Sequence, residues 1–210
     1  FLIFAAVLAC IGLAYFIAGH KRTIKGIVSV VIIVGLCFAV PSYSFAFWQD
    51  DIALEDESIY NYLQVTDNEQ QTVLSTNVLF GVQSIQMKGE GFTDMYYDYA
   101  LAAPVMAGMT GADNEDRSIM ILGMGSGTFA SYCTRLFPGT HIQGAEIDQK
   151  IADIATEYFD LPESVEVAVA DGRAYLTASE DKYDVIMVDA YQDITIPFQM
   201  SSVEFFTLVK

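Results

Sequence analysis

The sequence predicts an α/β protein in which a parallel sheet with crossover helices follows a small antiparallel β region and two transmembrane helices. Three observations predict this fold class. Two almost wholly apolar stretches open the chain, at 1–19 and about 27–47. Short runs with high β propensity then fill 59–87. From Ser118 onward, apolar runs of strand length alternate with helix-like segments, which is the pattern of parallel strands joined by helices.

The two apolar stretches are each about long enough to cross a bilayer as helices. A basic hairpin at 20–25 separates them, and the aromatic residues at 43–48 would suit a membrane interface. We therefore expect residues 1–48 to form two transmembrane helices and the protein to be integral to the cell membrane. Two buried core helices, or a signal peptide in place of one span, are the alternatives.

The composition excludes several functions. The chain has 210 residues and a formal net charge of −17 at pH 7, and such an acidic surface opposes contact with nucleic acid phosphates. No partner nucleic acid is therefore expected. The three cysteines and two histidines do not have the spacing of metal ligands, so we expect no metal site and no disulfide framework.

A small β domain plus a helix is predicted for 49–110. Short alternating runs, broken by Asp67-Asn68 and by Gly81, indicate antiparallel strands. The acidic run at 50–57 is interpreted as a solvated linker that leads into this domain. The segment Met95–Met106 is predicted to be a single helix.

The second domain, 111–210, is predicted to contain the parallel sheet. Its strands are expected at 118–123, 140–146, 164–169 and 183–188, with helices at about 128–137, 149–158 and 172–178. Right-handed crossovers bring the carboxyl ends of such strands to one edge, where ligands bind. Because the chain stops at Lys210 inside a predicted helix, we expect the domain to be truncated and its sheet incomplete at the C-terminus.

A glycine-rich loop follows the first strand of this sheet. Four apolar residues, 119–122, lead into Gly123, Gly125 and Gly127, and a helix-like run comes next. Glycine lets the backbone turn sharply and lets a ligand lie against bare peptide, and the start of a helix presents unpaired N–H groups. The loop predicts a site for a nucleoside-like ligand, with a plain tight turn as the alternative.

Acidic side chains follow the other three strands. Glu146, about 20 residues past the loop, can accept hydrogen bonds from both hydroxyls of a ribose, whereas Asp148 is better placed to cap the next helix. Asp171 can accept from an adenine amino group beside Gly172, or it can cap its own helix. Asp189 directly follows a buried strand and so emerges at the ligand crevice. A nicotinamide cofactor would use only the first two strand ends, whereas an adenosine sulfonium would use all four.

In their order and spacing, these motifs resemble the spermidine/spermine synthases, the polyamine aminopropyltransferases. The matching segments are 57–61, 81–83, 123–127, 146–148, 171–173, 183–189, 196–198 and 204–206. The apolar stretches in front are similar to those of the membrane-attached, fused transporter/spermidine-synthase type. The resemblance implies a methyltransferase-like Rossmann sheet, decarboxylated S-adenosylmethionine (or S-adenosylmethionine) as cofactor, no metal, and a small polyamine as substrate. A homodimer is compatible with it.

The resemblance also implies roles for individual residues. It makes Asp189 the catalytic base, because a polyamine nitrogen must lose a proton before it attacks the carbon beside the sulfonium. It places the following residues around the nucleoside: Asn61, Gly123, Gly125, Gly127, Glu146, Asp171, Gly172 and Pro197. It places four residues on the amine side, namely Tyr97, Ser126, Gln192 and Asp193.

The amine side departs from the family pattern. Ser126 stands where the family usually has an aspartate, and Tyr97 replaces a histidine in a tyrosine cluster that packing alone could explain. Asp193 follows Asp189 by four positions instead of three. Two other functions therefore stay open: a methyltransferase acting on another small nucleophile, and a non-catalytic nucleoside-binding module of a membrane protein. A nucleoside made in the cytosol favours a cytoplasmic catalytic domain, although the basic loop favours the opposite topology.

Overall fold

The structure, a computed structural model, describes residues 2–19, 23–39, 49–77, 81–89, 91–191 and 195–210. The chain divides into two compact units, Phe1–Trp48 and Gln49–Lys210. The first unit contains helices α1 (Leu2–Ala18) and α2 (Thr23–Ala39), which pack against each other. At Gly26 of α2 the backbone lies so close to α1 that a Cβ atom would come within 3.1 Å of the Phe16 Cβ.

The predictions of two transmembrane helices and of an integral membrane protein are contradicted. Within the described part of the chain, no helix is long and apolar enough to cross a membrane. The α1 and α2 helices have 17 residues each, and a helix of this length rises about 25 Å, which is less than a hydrocarbon core of roughly 30 Å. These helices therefore do not support the resemblance to the membrane-attached type. Residues 20–22 and 43–48 lie outside the described residues.

The second unit begins with the antiparallel sheet that the alternating runs predict. Its strands, paired in chain order, are β1 (Ile52–Glu57), β2 (Tyr62–Asp67), β3 (Gln71–Thr76) and β4 (Gly81–Met87). The prediction of a linker at 50–57 is wrong, because most of this run forms β1. β1 is an edge strand, which pairs on one side only and tolerates charged side chains. Its acidic residues therefore resemble those of a solvated linker, and the sequence pattern does not indicate a strand.

Two short helices, α3 (Tyr96–Ala100) and α4 (Ala102–Met106), replace the single helix predicted at 95–106. Proline has no N–H, and its ring collides with the carbonyl group four residues earlier. For Pro104 that carbonyl belongs to Ala100, where α3 ends. Pro104 itself lies in the first turn of α4, where proline is tolerated.

The parallel sheet of the second unit confirms the predicted α/β fold. Its elements are β5 (Ser118–Leu122), α5 (Thr128–Leu136), β6 (His141–Glu146), α6 (Gln149–Tyr158), β7 (Val165–Val169), α7 (Gly172–Ala178), β8 (Val185–Val188) and α8 (Val203–Val209). All neighbouring strands are parallel, in the order β7-β6-β5-β8. The strand order therefore reverses between β5 and β8, and this reversal opens a crevice at their carboxyl ends.

Apolar clusters hold the antiparallel sheet over this crevice. Leu63, Val65 and Leu74 of the antiparallel sheet pack against Ile151 and Ile154 of α6. Because α6 follows β6 directly, this packing brings the turn between β1 and β2 to the end of β6. The β1–β2 turn can therefore also contact the start of α6.

Asp148 makes this second contact. It caps α6 by accepting a hydrogen bond from the Lys150 N–H, and it also accepts one from the Ser58 hydroxyl in the β1–β2 turn. Its side chain is 2% exposed. The neighbouring Lys150 ammonium pairs with Asp56 at 2.6 Å. The helix cap that the sequence predicts for Asp148 is thus confirmed, and the same carboxylate also fixes the turn.

We expect Asp148→Ala to lower the free energy of unfolding by about 2–3 kcal/mol, since it removes a helix cap and leaves buried donors without an acceptor. Thermal or urea unfolding of the full chain would measure this loss. Glu157→Ala, an exposed change on the same helix, is the matched control. Equal stability of the two variants would contradict the role of Asp148.

Candidate active site

A cavity of about 430 Å³ lies at the carboxyl ends of the parallel strands. Seven of the predicted site residues line it, and they come from separate segments of the chain: Asn61, Gly123, Glu146, Asp171, Gly172, Asp189 and Pro197. The structure thus brings the three strand-end carboxylates of β6, β7 and β8 to one hollow beside the glycine loop.

The glycine loop is packed against the start of the segment that follows β8. Gly123 has φ +82°, and a Cβ atom there would lie 2.6 Å from the Asp189 carbonyl oxygen and 2.7 Å from the Ala190 Cα. Only glycine fits this approach of two backbones. Gly127 also has positive φ, but a Cβ atom there would meet the Leu161 side chain. Gly127 therefore serves the packing of the loop and does not line the cavity.

Glu146 is held by the loop that it faces. Its Oε2 accepts a hydrogen bond from the Gly125 N–H at 2.9 Å, and its Oε1 accepts one from the Asp148 N–H at 3.0 Å. Burial raises the pKa of this carboxyl group, and the two backbone donors oppose that effect. A carboxylate can accept about four hydrogen bonds. Glu146 therefore keeps capacity for two further donors, such as the hydroxyls of a ribose.

The helix cap predicted for Asp171 is confirmed, and the residue also lies at the cavity. It caps α7, because its Oδ1 accepts a hydrogen bond from the Ala174 N–H at 2.8 Å, and it also lines the cavity. Gly172 follows it, and a Cβ atom there would approach the Leu122 Cβ to 3.2 Å. The first turn of helix α7 thus packs against the core below the cavity, and Asp171 lies at the rim of the cavity.

Asp189 is paired with a tyrosine. The Tyr96 hydroxyl donates a hydrogen bond to its Oδ2. Burial raises the pKa of the Asp189 carboxyl group, and the bond from Tyr96 acts in the opposite direction. Burial and the neighbouring carboxylate raise the pKa of Tyr96 far above its usual range, so this phenol stays protonated and is the donor.

The four residues predicted for the amine side do not form a common group in the described part of the chain. Tyr97 is 3% exposed, and its hydroxyl accepts a hydrogen bond from the Ile85 N–H; it lies deep in a small recess with Tyr96. Ser126 is fully buried and lines a separate cavity of about 150 Å³ on another side of the loop, together with Arg135. The last two, Gln192 and Asp193, lie outside the described residues.

Other residues that line the main cavity were not predicted from the sequence, among them Tyr60, Thr76, Gln83, Ile147 and Tyr191. Tyr60 and Gln83 lie inside segments that carry the family resemblance, so a signal for them existed. Ile147 also lies in such a segment, whereas Thr76 has an ordinary side chain for a strand and offered no signal. In the part of the chain that the structure describes, no three His, Cys, Asp or Glu side chains are grouped as metal ligands would be.

Comparison with known proteins identifies relatives of this chain. A family model described as the spermine/spermidine synthase domain matches residues 102–210. A probable polyamine aminopropyl transferase of Bifidobacterium longum is 58% identical over 198 residues, covering 94% of this chain and 43% of that protein. A polyamine aminopropyltransferase of Vibrio vulnificus is 29% identical over 168 residues, covering 77% of this chain and 55% of that protein. The chain thus spans about half the length of these curated relatives.

The fold is shared with a solved enzyme structure. A probable spermidine synthase from Corynebacterium glutamicum superimposes with a TM-score of 0.64 at 23% identity, covering 76% of this chain and 59% of that one. This similarity concerns the fold, whereas the family model concerns the sequence itself and matches just over half of the chain. The chain therefore belongs to the spermine/spermidine synthase family.

Proposed function

We propose that this chain carries the catalytic site of a polyamine aminopropyltransferase, which moves an aminopropyl group from decarboxylated S-adenosylmethionine to a small polyamine. The observation that carries the proposal is the convergence of Glu146, Asp171 and Asp189 on one cavity beside Gly123. The family membership and the 58% identity with a probable polyamine aminopropyl transferase support the same activity.

The nucleoside would occupy the half of the cavity that Glu146 and Asp171 line. Glu146 has two free acceptor positions for the ribose hydroxyls, and its orientation is fixed by the Gly125 N–H. Asp171, at the rim above α7, would accept from the adenine amino group, with Pro197 beside the ring. The sulfur end of the ligand would lie near Gly123, which lines the cavity and packs against the backbone of Asp189 and Ala190.

Asp189 would act on the acceptor amine. The sulfonium supplies an activated propyl carbon, so the amine nitrogen forms the new C–N bond while the C–S electron pair leaves with neutral methylthioadenosine. The attacking nitrogen must give up a proton, and the carboxylate of Asp189 would orient the amine and accept it. Partial burial keeps this carboxylate away from bulk water, and Tyr96 fixes one of its oxygens.

The test combines binding and turnover with the full chain. Calorimetry is expected to show binding of methylthioadenosine and of decarboxylated S-adenosylmethionine, and putrescine or spermidine is expected to cause release of methylthioadenosine from the latter. Tightest binding of S-adenosylmethionine, with methyl transfer, would favour a methyltransferase. Nucleoside binding with no release by any amine would favour a non-catalytic module.

The pH profile of Tyr96→Phe tests the pairing of Tyr96 with Asp189. A general base must be ionised, so kcat/KM rises as the pH rises through the pKa of Asp189. Loss of the phenol removes a hydrogen bond that lowers this pKa. We therefore expect the acid limb of the profile to move to higher pH. Tyr99→Phe, at an exposed tyrosine of the same helix, should leave the limb in place; an unmoved limb in both variants would refute the pairing.

A further inference from the structure

A second tyrosine lies beside the proposed base. Tyr191 follows Asp189 by two positions, lines the main cavity and is 58% exposed. Tyr96 donates a hydrogen bond to the same Asp189 carboxylate. The Tyr96 ring, 49% exposed, rests edge-to-face on the Tyr97 ring at 5.0 Å between ring centres. Two accessible aromatic rings therefore lie on either side of Asp189, Tyr191 in the main cavity and Tyr96 in the small recess that Asp189 also lines.

The proposed transfer leaves one property of the acceptor unexplained. A polyamine that loses one proton for attack keeps at least one other ammonium group, because alkylamines have pKa values near that of lysine, about 10.4. Among the described residues that line the cavity, the carboxylates are Glu146, Asp171 and Asp189. The first two belong to the nucleoside half, and Asp189 serves the attacking nitrogen. Ser126, a neutral residue where the family usually has an aspartate, is buried on another side of the loop.

We propose that the ring of Tyr191, with that of Tyr96, binds the charged, non-reacting end of the acceptor amine through cation–π contacts. This inference rests on the proposed function and names its substrate class: an alkyl amine with a second cationic group. Aromatic faces attract a cation whether or not it carries N–H groups, whereas a carboxylate that binds through hydrogen bonds needs those donors. The acceptor site is therefore tolerant of N-methylation at the distal nitrogen.

The first experiment separates the ring from the hydroxyl. Tyr191→Leu removes the ring and is expected to raise the KM for putrescine by about 3- to 30-fold, the range of a partly exposed cation–π contact. Tyr191→Phe keeps the ring and should retain the wild-type KM. The affinity for methylthioadenosine should be unchanged in both. Tyr99→Leu, at a tyrosine that is 78% exposed and outside the described cavities, is the matched control.

The second experiment uses a diamine with one trimethylammonium end. We expect it to compete with putrescine against the wild type and to compete at least about 3-fold less well against Tyr191→Leu, whereas the corresponding amino alcohol should compete weakly with both. An unchanged KM in Tyr191→Leu, or a loss of affinity in Tyr191→Phe equal to that in the Leu variant, would overturn the role of the ring and leave aminopropyl transfer intact. A wild-type chain that binds nucleoside but transfers nothing would overturn the proposed function itself, and this inference with it.

Discussion

Asp189→Asn is expected to remove amine-dependent release of methylthioadenosine while it leaves methylthioadenosine binding unchanged. The amide has the shape of the carboxylate and can still accept the hydrogen bond from Tyr96, so the cavity should persist. It cannot accept a proton from the amine, and the loss of a general base typically costs about 10²- to 10⁴-fold in rate. Product release under saturating amine and calorimetry with methylthioadenosine would measure the two effects separately.

The control for this variant is Asp181→Asn, an exposed aspartate beyond α7, which should keep full activity. The pH dependence of the free energy of unfolding is an independent check of the burial of Asp189. Because burial raises the folded-state pKa of Asp189, the wild type loses stability as the pH rises from the ordinary aspartate pKa through this raised value. The Asn variant avoids that loss, so it should equal the wild type at low pH and exceed it at neutral pH. Full turnover in Asp189→Asn would refute the assignment of the base.

Gly123→Ala is expected to cost about 2–5 kcal/mol of stability and to abolish nucleoside binding. The added Cβ would lie 2.6 Å from the Asp189 carbonyl oxygen and 2.7 Å from the Ala190 Cα, and both are backbone atoms that cannot turn away. The positive φ adds about 1–2 kcal/mol to the cost of the overlap. In a unit of this size each kcal/mol lowers Tm by about 2–4 °C, so a fall of roughly 4–20 °C should be seen by thermal unfolding.

A matched glycine distinguishes this overlap from a general effect of alanine. Gly111 lies in an exposed turn, and no heavy atom lies within 4 Å of the position that an added Cβ would take. Gly111→Ala should therefore keep both the wild-type Tm and the affinity for methylthioadenosine. Should Gly123→Ala behave like Gly111→Ala, the close packing of the loop against the segment after β8 would not be a condition for binding.

The three carboxylates that line the cavity could be predicted because each lies at the carboxyl end of a strand or within two residues of it. A buried apolar strand is visible in the sequence, and parallel strands that are joined by helices must bring their carboxyl ends to one edge. Glu146, Asp171 and Asp189 were found in this way. The residues expected on the amine side are not fixed by strand positions: Tyr97 lies on a short helix and Ser126 in a loop, and the direction of both depends on packing.

Hydrophobic period and glycine position are local properties, so the residues alone were enough to predict the elements of the parallel sheet and the carboxylates at its strand ends. Only the tertiary structure showed three other features: the strand order β7-β6-β5-β8, the strand at 52–57, and the tyrosine that pairs with Asp189. The folded chain also contradicted the transmembrane helices. The physical reason is that these features depend on contacts between segments far apart in the chain, or on where a helix ends, and the polarity of a single stretch encodes neither.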